Sequence, residues 1–288
     1  MTAFHWIDTN GAVWDLTDGP VALKPGVMGL GLPGTDQFTR QSASIAGQKL
    51  TGSRVLPRNV FLPLVLVGFD ARLWLRESRE FFSGLSEDIP GTLRVTAGDG
   101  EVREIALRLV RVVGDEMNID PAIFARESFG LDLVADDPFW RGPRVLRQFQ
   151  AAQSSGTFYA PAGSNYVFNI GSAGNTDAAV LSNLGDVPAW ATVTISGPSV
   201  AFSVVVDDAE ISATLNLASG DRLVIDTDPT QQTARLWQGG VSTLFPFFNF
   251  TQIRFAPIPR GGSVPVGITV NGSGPVEIGF YPQYRRAF

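Results

Sequence analysis

Apolar residues recur mostly at every second position, the period of a half-buried strand. Phe4 and Trp6, then Val13, Trp14 and Leu16, flank Asn10-Gly11. That pair suits the φ > 0 positions of a tight turn, so the chain opens with a hairpin. Residues 21–32 are punctuated by Gly and Pro and read as a loop or edge strand. Asn59 to Val67 is an apolar, β-branched strand, and Pro63, with no backbone donor, marks it as an edge or a bulge. Leu93 and Val95 lead through Gly98-Asp99-Gly100 into a return strand, Val102 to Val113. On that strand Arg103, Ile105, Leu107, Leu109 and Arg111 share one face, and Val102, Ala106, Arg108, Val110 and Val112 the other. Phe124 to Leu133 follows and ends at Asp136-Asp137-Pro138-Phe139-Trp140.

One segment has helical period. Leu73, Trp74, Phe81, Phe82 and Leu85 form a stripe behind Asp70, a suitable N-cap, and Gly84 suits the C-terminal end. The second half shows strand period throughout. Strands are expected at 165–170, 178–184, 189–196, 201–206, 211–217, 222–226, 234–237, 251–255, 264–270 and 276–281. Turn residues separate them, among them Gly197-Pro198, Ser219-Gly220, Asp228-Pro229, Gly239-Gly240 and Gly261-Gly262. This spacing is that of a β-sandwich of jelly-roll or related type.

Charge divides the chain. Residues 1–150 carry 16 Lys/Arg and 19 Asp/Glu, whereas residues 151–288 carry 6 and 9. The shift predicts two domains, 1–150 and 151–288, with the polar stretch Ala151–Gly156 in the linker. The 31 Gly and 19 Pro among 288 residues fit many turns. The apolar run Val60–Val67 is far shorter than the roughly 20 residues that span a bilayer. The N-terminus has no basic region followed by an apolar stretch, so no signal peptide is expected.

Chemistry is narrowed by two counts. With no Cys and one His, thiolate zinc, iron–sulfur and two-imidazole sites are excluded, and no metal or cofactor is expected. Acid–base catalysis would fall to carboxylates. The clusters Asp136/Asp137, Asp207/Asp208/Glu210 and Asp221/Asp226/Asp228 read as turn residues, because neighbours on a strand face opposite ways. Gly29-Leu30-Gly31-Leu32-Pro33-Gly34 matches G-x-G-x-x-G but lies in no strand–helix context. The arginines at 103, 108, 111, 141, 144 and 147 are diluted by acids, and a net charge of −6 argues against a nucleic-acid groove. No catalytic residue is assigned. Phe245, Phe247, Phe248 and Phe250 cannot all face inward on one strand. They form either a partner interface or a cluster buried under a loop.

In chain order, Trp6 and Trp14-x-Leu16 around Asn10-Gly11, the helix at Leu73–Leu85, the Gly91-Thr92-Leu93 hairpin and Ala135-Asp136-Asp137-Pro138-Phe139-Trp140 resemble the distal tail proteins of siphophages. In phages of actinobacteria these are often called minor tail proteins. Residues 183–190 (Asn-Leu-Gly-Asp-Val-Pro-Ala-Trp), 194–198 and 220–226, with the aromatic stretch before Arg260-Gly261-Gly262, resemble the family's galectin-like domain. The Phe-rich segment 244–250 departs from the pattern, where a more polar loop is expected.

The resemblance implies a mainly β fold: an N-terminal belt β-sandwich with one α-helix, then a C-terminal galectin-like β-sandwich. It implies a non-enzymatic structural role in the virion tail, after assembly in the host cytoplasm. The protein would form a homo-hexameric ring joining the tail tube protein to the tail hub or tail-associated lysin, near the tape measure protein. Its outer domain would offer a docking surface for receptor-binding proteins. Genomic DNA would pass the lumen without specific binding, and no membrane is involved. An alternative is a carbohydrate-binding tail module for host-surface adhesion, with Trp190 and Trp237 as candidate sugar contacts. A depolymerase would need a facing carboxylate pair that the sequence does not mark.

Overall fold

The structure is a computed structural model and describes residues 2–114, 120–149 and 175–288. The expected strand at 165–170 and the linker residues 151–156 lie outside the described residues. The fold is mainly β. The chain divides into two compact units, Met1–Pro143 with Gln283–Phe288, and Arg144–Pro282. The charge shift near residue 150 thus sits a little beyond the structural division, because a strand at Val145–Phe149 already pairs within the second unit. The domain range 151–288 also loses its last residues, 283–288, to the first unit.

The first unit begins with β1 (Ala3–Ile7) and β2 (Val13–Asp15), paired so that Trp6 lies opposite Trp14. β3 (Val21–Leu23) follows, then β4 (Thr35–Ser42), β5 (Ile45–Val55) and β6 (Arg58–Val67). Helix α1 (Ala71–Ser83) starts at Asp70, whose Oδ1 accepts the backbone N–H of Leu73 at 2.8 Å, and ends at Gly84. β7 (Gly91–Thr96) and β8 (Val102–Val113) form the second hairpin. A one-turn helix α2 (Pro121–Phe124) precedes β9 (Arg126–Ala135) and the short β10 (Trp140–Arg141). The main sheet has the order β2-β1-β7-β8-β9-β6-β3, with β10 beside β8. Its core gathers Trp6, Trp14, Leu62, Leu64, Leu107, Leu131 and Trp140 with Trp74 and Phe81 of α1. Phe81 meets Trp14 edge to face at 5.3 Å.

β6 is not an edge. It is paired along its length with β9 and, at Leu64–Leu66, with β3. Pro63 is tolerated because β3 stops at Leu23, opposite Leu64; beyond it Lys24 donates to the Pro63 carbonyl at 2.8 Å. The missing donor of Pro63 therefore faces Lys24, just past the end of β3, and no bond within the β3–β6 ladder is lost. The expected alternation on β8 also fails near Val110, where a register shift between Leu109 and Arg111 interrupts pairing with β9.

The second unit is a sandwich. Its strands are β11 (Val145–Phe149), β12 (Asn175–Ser182), β13 (Thr192–Ser196), β14 (Ser199–Val206), β15 (Ala209–Leu217), β16 (Arg222–Asp226), β17 (Thr233–Gln238), β18 (Val241–Leu244), β19 (Gln252–Ile253), β20 (Ser263–Gly272) and β21 (Val276–Phe280). One sheet runs β11-β21-β13-β16-β17-β18 and the other β12-β20-β14-β15-β19. Alternate residues of both sheets, such as Val193, Ile225 and Ile278 against Phe202, Val204 and Ile268, enter one core. Asp207 takes φ +55° in the two-residue turn between Val206 and Ala209, as expected for turn chemistry. The chain then returns to the first unit as β22 (Gln283–Tyr284), which pairs with β10.

Candidate interaction surfaces

β4 and β5 form a long two-stranded hairpin separate from the main sheet of their unit. Its residues are exposed almost throughout, and it carries Phe38 (52% exposed) and Leu50 (57%) with no core of its own. Two strands alone are marginally stable in water. Near its tip Arg40 lies directly opposite Lys49, a like-charge pair that disfavours the isolated arm.

The outward face of β6 is the second unusual surface. Val60, Leu62, Leu64 and Leu66 fill the core, yet Phe61, Pro63 and Val65 between them are also apolar and only half-buried. Such a continuous apolar run is the pattern of a strand covered on both faces. A groove of about 530 Å³ opens there, lined by Met28, Phe61, Val110, Leu133 and the Arg111–Asp132 ion pair at 2.6 Å.

The basic residues of this unit are largely matched. Arg94 bonds Glu104, Arg103 bonds Glu101, Arg108 bonds Asp136 and Arg141 bonds Asp137, at 2.6 to 3.0 Å. The hydrogen bond that Arg108 donates to Asp136, then the charge of that carboxylate, raises the Arg108 pKa. Arg103 with Glu101 is partly buried, and the other three pairs are solvent-exposed and weak in stability terms. Arg58 differs: it is buried, and its guanidinium donates to the carbonyls of Gly29, Gly31, Pro138 and Arg285 at 2.6 to 2.8 Å. Burial pushes its pKa down.

In the second unit the four Phe are split. Phe250 is buried; it meets Phe245 edge to face at 5.1 Å and Phe202 at 6.5 Å. Phe247 packs at 6.1 Å from both Phe250 and Phe255 and is 36% exposed, while Phe248 is 86% exposed. A single 3-10 turn at Phe247–Asn249 causes this, since it breaks strand alternation. Part of the segment is thus buried under the turn, and Phe248 is left at the surface.

Trp190 and Trp237 are half-buried and do not share one platform. Trp237 is in register with Arg222, which pairs with Ser196 at the end of β13; Trp190 lies before Thr192 at the start of β13. The length of β13, about 13 Å at roughly 3.3 Å per residue, separates them. The Arg222 guanidinium carbon sits 4.9 Å from the Trp237 ring centre and covers that ring. Among the described residues no group of three or more His, Asp or Glu is placed to hold a metal ion, and no helix is long and apolar enough to cross a membrane.

Sequence signals for the arm and the β6 face were weak: the arm is polar on both sides, and an apolar run does not say whether both faces are covered in one chain. No family model and no curated protein matches the sequence. Solved structures do. The chain is similar to SPP1 Dit, described as a paradigm of the hub adsorption apparatus in phages infecting Gram-positive bacteria, with a TM-score of 0.62, 13% identity, and coverage of 98% of this chain and 99% of that one. It is also similar to a chain of the phage P2 baseplate in its activated conformation with Ca, at TM-score 0.54, 14% identity and coverage of 93% and 98%. The same baseplate with Sr gives 0.53 and 14%. The chain therefore shares, over nearly its whole length, the fold of phage hub and baseplate proteins.

Proposed function

We propose that this protein is a structural component of a siphophage tail tip. Six copies form a ring that joins the tail tube to the hub or tail-associated lysin, and the second unit serves as a docking surface for receptor-binding proteins. The ring acts in the virion tail without enzymatic chemistry, and DNA passes it without being gripped. The observation that carries this reading is the exposed β4–β5 arm on a unit whose β6 face is apolar and half-covered. An arm on one side and a receiving face on another are different surfaces. Their union is heterologous, and it closes into a ring when its rotation closes. The likeness to hub and baseplate proteins supports the same reading.

The test is size. Light scattering of the full chain is expected to give six times the 30.9 kDa of one copy. Replacing residues 35–55 by a short turn is expected to give monomers whose thermal transition is unchanged, since the arm contributes little to the core. A full chain that stays monomeric at all concentrations overturns the ring.

A further inference from the structure

We propose that the β4–β5 arm docks by its charged face on the first unit of a second copy. Phe38 enters the β6 groove there, and Arg40 and Lys49 meet the acidic edge beside it. This deepens the ring reading and rests on it. Directly opposite residues of an antiparallel pair share a face. Asp36 lies opposite Arg54, Phe38 opposite Gly52 and Arg40 opposite Lys49. All four charged residues of the arm therefore sit on one face, around Phe38. The other face, with Thr39, Gln41, Gln48 and Leu50, is uncharged. A Cβ at Gly52 would stand 3.9 Å from the Phe38 ring, so the ring lies over that glycine, and half of the residue stays exposed.

Charge points to the occupant. Arg54 bonds Asp36 at 2.9 Å, but Arg40 and Lys49 form no ion pair among the described residues. Residues 35–55 carry a net charge of +2, whereas the rest of the first unit carries −5. The arm of one copy is thus attracted to the body of another and repelled by a second arm.

Register sets the receiving surface. Phe61, Asp132 and Arg111 form one outward row across β6, β9 and β8, and Asn59, Val134 and Arg108 form the next. The first row lines the groove with Met28 and Val110. The second row carries the acidic edge. Arg108 bonds Asp136 at 3.0 Å, and Leu109 donates to the Ser86 carbonyl at 2.9 Å, which lays the loop Ser86–Pro90 along β8. Glu87, Asp88 and Ile89 of that loop are exposed, and the charge of Asp88, after that of Asp136, acts on Arg108. Three carboxylates there are set against one cation, Arg108. Arg58, in register with Ala135 at the same end of β9, is buried and donates to carbonyls, and Arg141 is paired with Asp137. The two rows are two strand residues apart, about 7 Å at roughly 3.3 Å per residue. Phe38 and Arg40 have the same spacing on the arm, so one can fill the groove while the other reaches the acids.

Association of the full chain is measured by sedimentation in low and in high salt, and is expected to weaken as salt rises. The variant Arg40→Glu, Lys49→Glu is expected to weaken low-salt association about tenfold, and so is Glu87→Lys, Asp88→Lys. Thermal transitions are expected to stay unchanged. The arm has no core, and the loop is held by the Ser86 hydroxyl, which accepts the backbone N–H groups of Asp88 and Ile89. A chain with all four changes restores the charge match and is expected to return to within about threefold of the parent. Leu50→Asp, on the uncharged face, is expected to leave association unchanged. Association that ignores both charge reversals overturns the proposal and leaves the ring standing. Loss with Leu50→Asp but not with the arm reversal overturns it as well, since the other face then makes the joint. Failure of the fourfold variant to recover also overturns it, because the arm then meets other acids. If the arm reversal removes only the binding of a labelled DNA oligomer, nucleic acid is the occupant and the proposal falls. A parent chain that stays monomeric in both salts overturns ring and joint together, so the two failures are told apart.

Discussion

Asp8 organises the first hairpin. Its carboxylate is 5% exposed and accepts the backbone N–H groups of Asn10 and Ala12, each at 2.9 Å, and the Trp14 indole N–H at 3.1 Å. The space around it is closed by Gly84, where any Cβ would overlap the Asp8 carboxylate. The C-terminal end of α1 and the opening turn are thus fitted to one another through a residue without a side chain. Asp8→Ala is expected to leave a buried indole donor unpaired and to cost about 2–4 kcal/mol, read by urea unfolding of the full chain. Asp8→Asn keeps an acceptor oxygen and should lose less. A loss under about 0.5 kcal/mol for the Ala variant would mean that water replaces the carboxylate. Asp8 itself gives no sequence signal, since a lone Asp before Asn-Gly is an ordinary turn residue.

Among the elements, legibility followed burial on one face. α1 was readable because Trp74 and Phe81 recur at helical spacing between a capping Asp and a Gly. Most sandwich strands were readable because they alternate. The β4–β5 arm was not, since it buries nothing in its own chain and its polar residues carry no period. For the same reason the Phe-rich segment could be marked as unusual but not divided into Phe250 inside and Phe248 outside; a 3-10 turn made that division. Trp237 was legible as an aromatic on a strand, but Arg222 two strands' worth of sequence away was not legible as its cover. β6 and β9 show a pairing that only the fold reveals. Phe61 is in register with Asp132, and its ring reaches over the diagonal neighbour Gly130, where a Cβ would stand 2.5 Å from the ring. Glycine lets the aromatic close over its strand neighbour, as in other cross-strand pairs of this kind. Gly130→Ala is expected to displace the ring and cost about 1–3 kcal/mol. Phe61→Leu in the same chain should recover much of that loss, and a purely additive double variant would show that the ring is not the obstacle.

At the scale of the molecule, the second unit is an insertion. The chain leaves the first unit after β10 and returns as β22, and these two pair, Trp140 with Tyr284 and Arg141 with Gln283. The ends of the inserted unit also pair, Val145 with Phe280. Each gap is therefore spanned by neighbouring strands, and neither unit needs the other to bring its ends together. The returning residues 283–288 hold the first unit strongly. Arg285 offers a carbonyl to buried Arg58, Arg286 offers one to Arg103, and Ala287, itself buried, donates to Leu30. Arg103 also lies over the Tyr284 ring, 3.8 Å from its centre. Truncation before Gln283 would leave the Arg58 guanidinium one partner short in a buried place, where an unmatched charge is costly. Excision is a different matter. Replacing residues 142–282 with Asn-Gly joins Arg141 to Gln283 by a two-residue hairpin turn and keeps every one of those contacts. The excised first unit is expected to unfold in a single transition, with near-native amide protection at Trp140 and Tyr284. The separate piece 144–282 is expected to fold through its own core. Chain truncated at Pro282 should instead lose several kcal/mol in the first unit while the second keeps its transition, as two-peak calorimetry would record. If the excised unit failed to fold although the truncated chain did, closure by β10 and β22 would not be what completes the first unit.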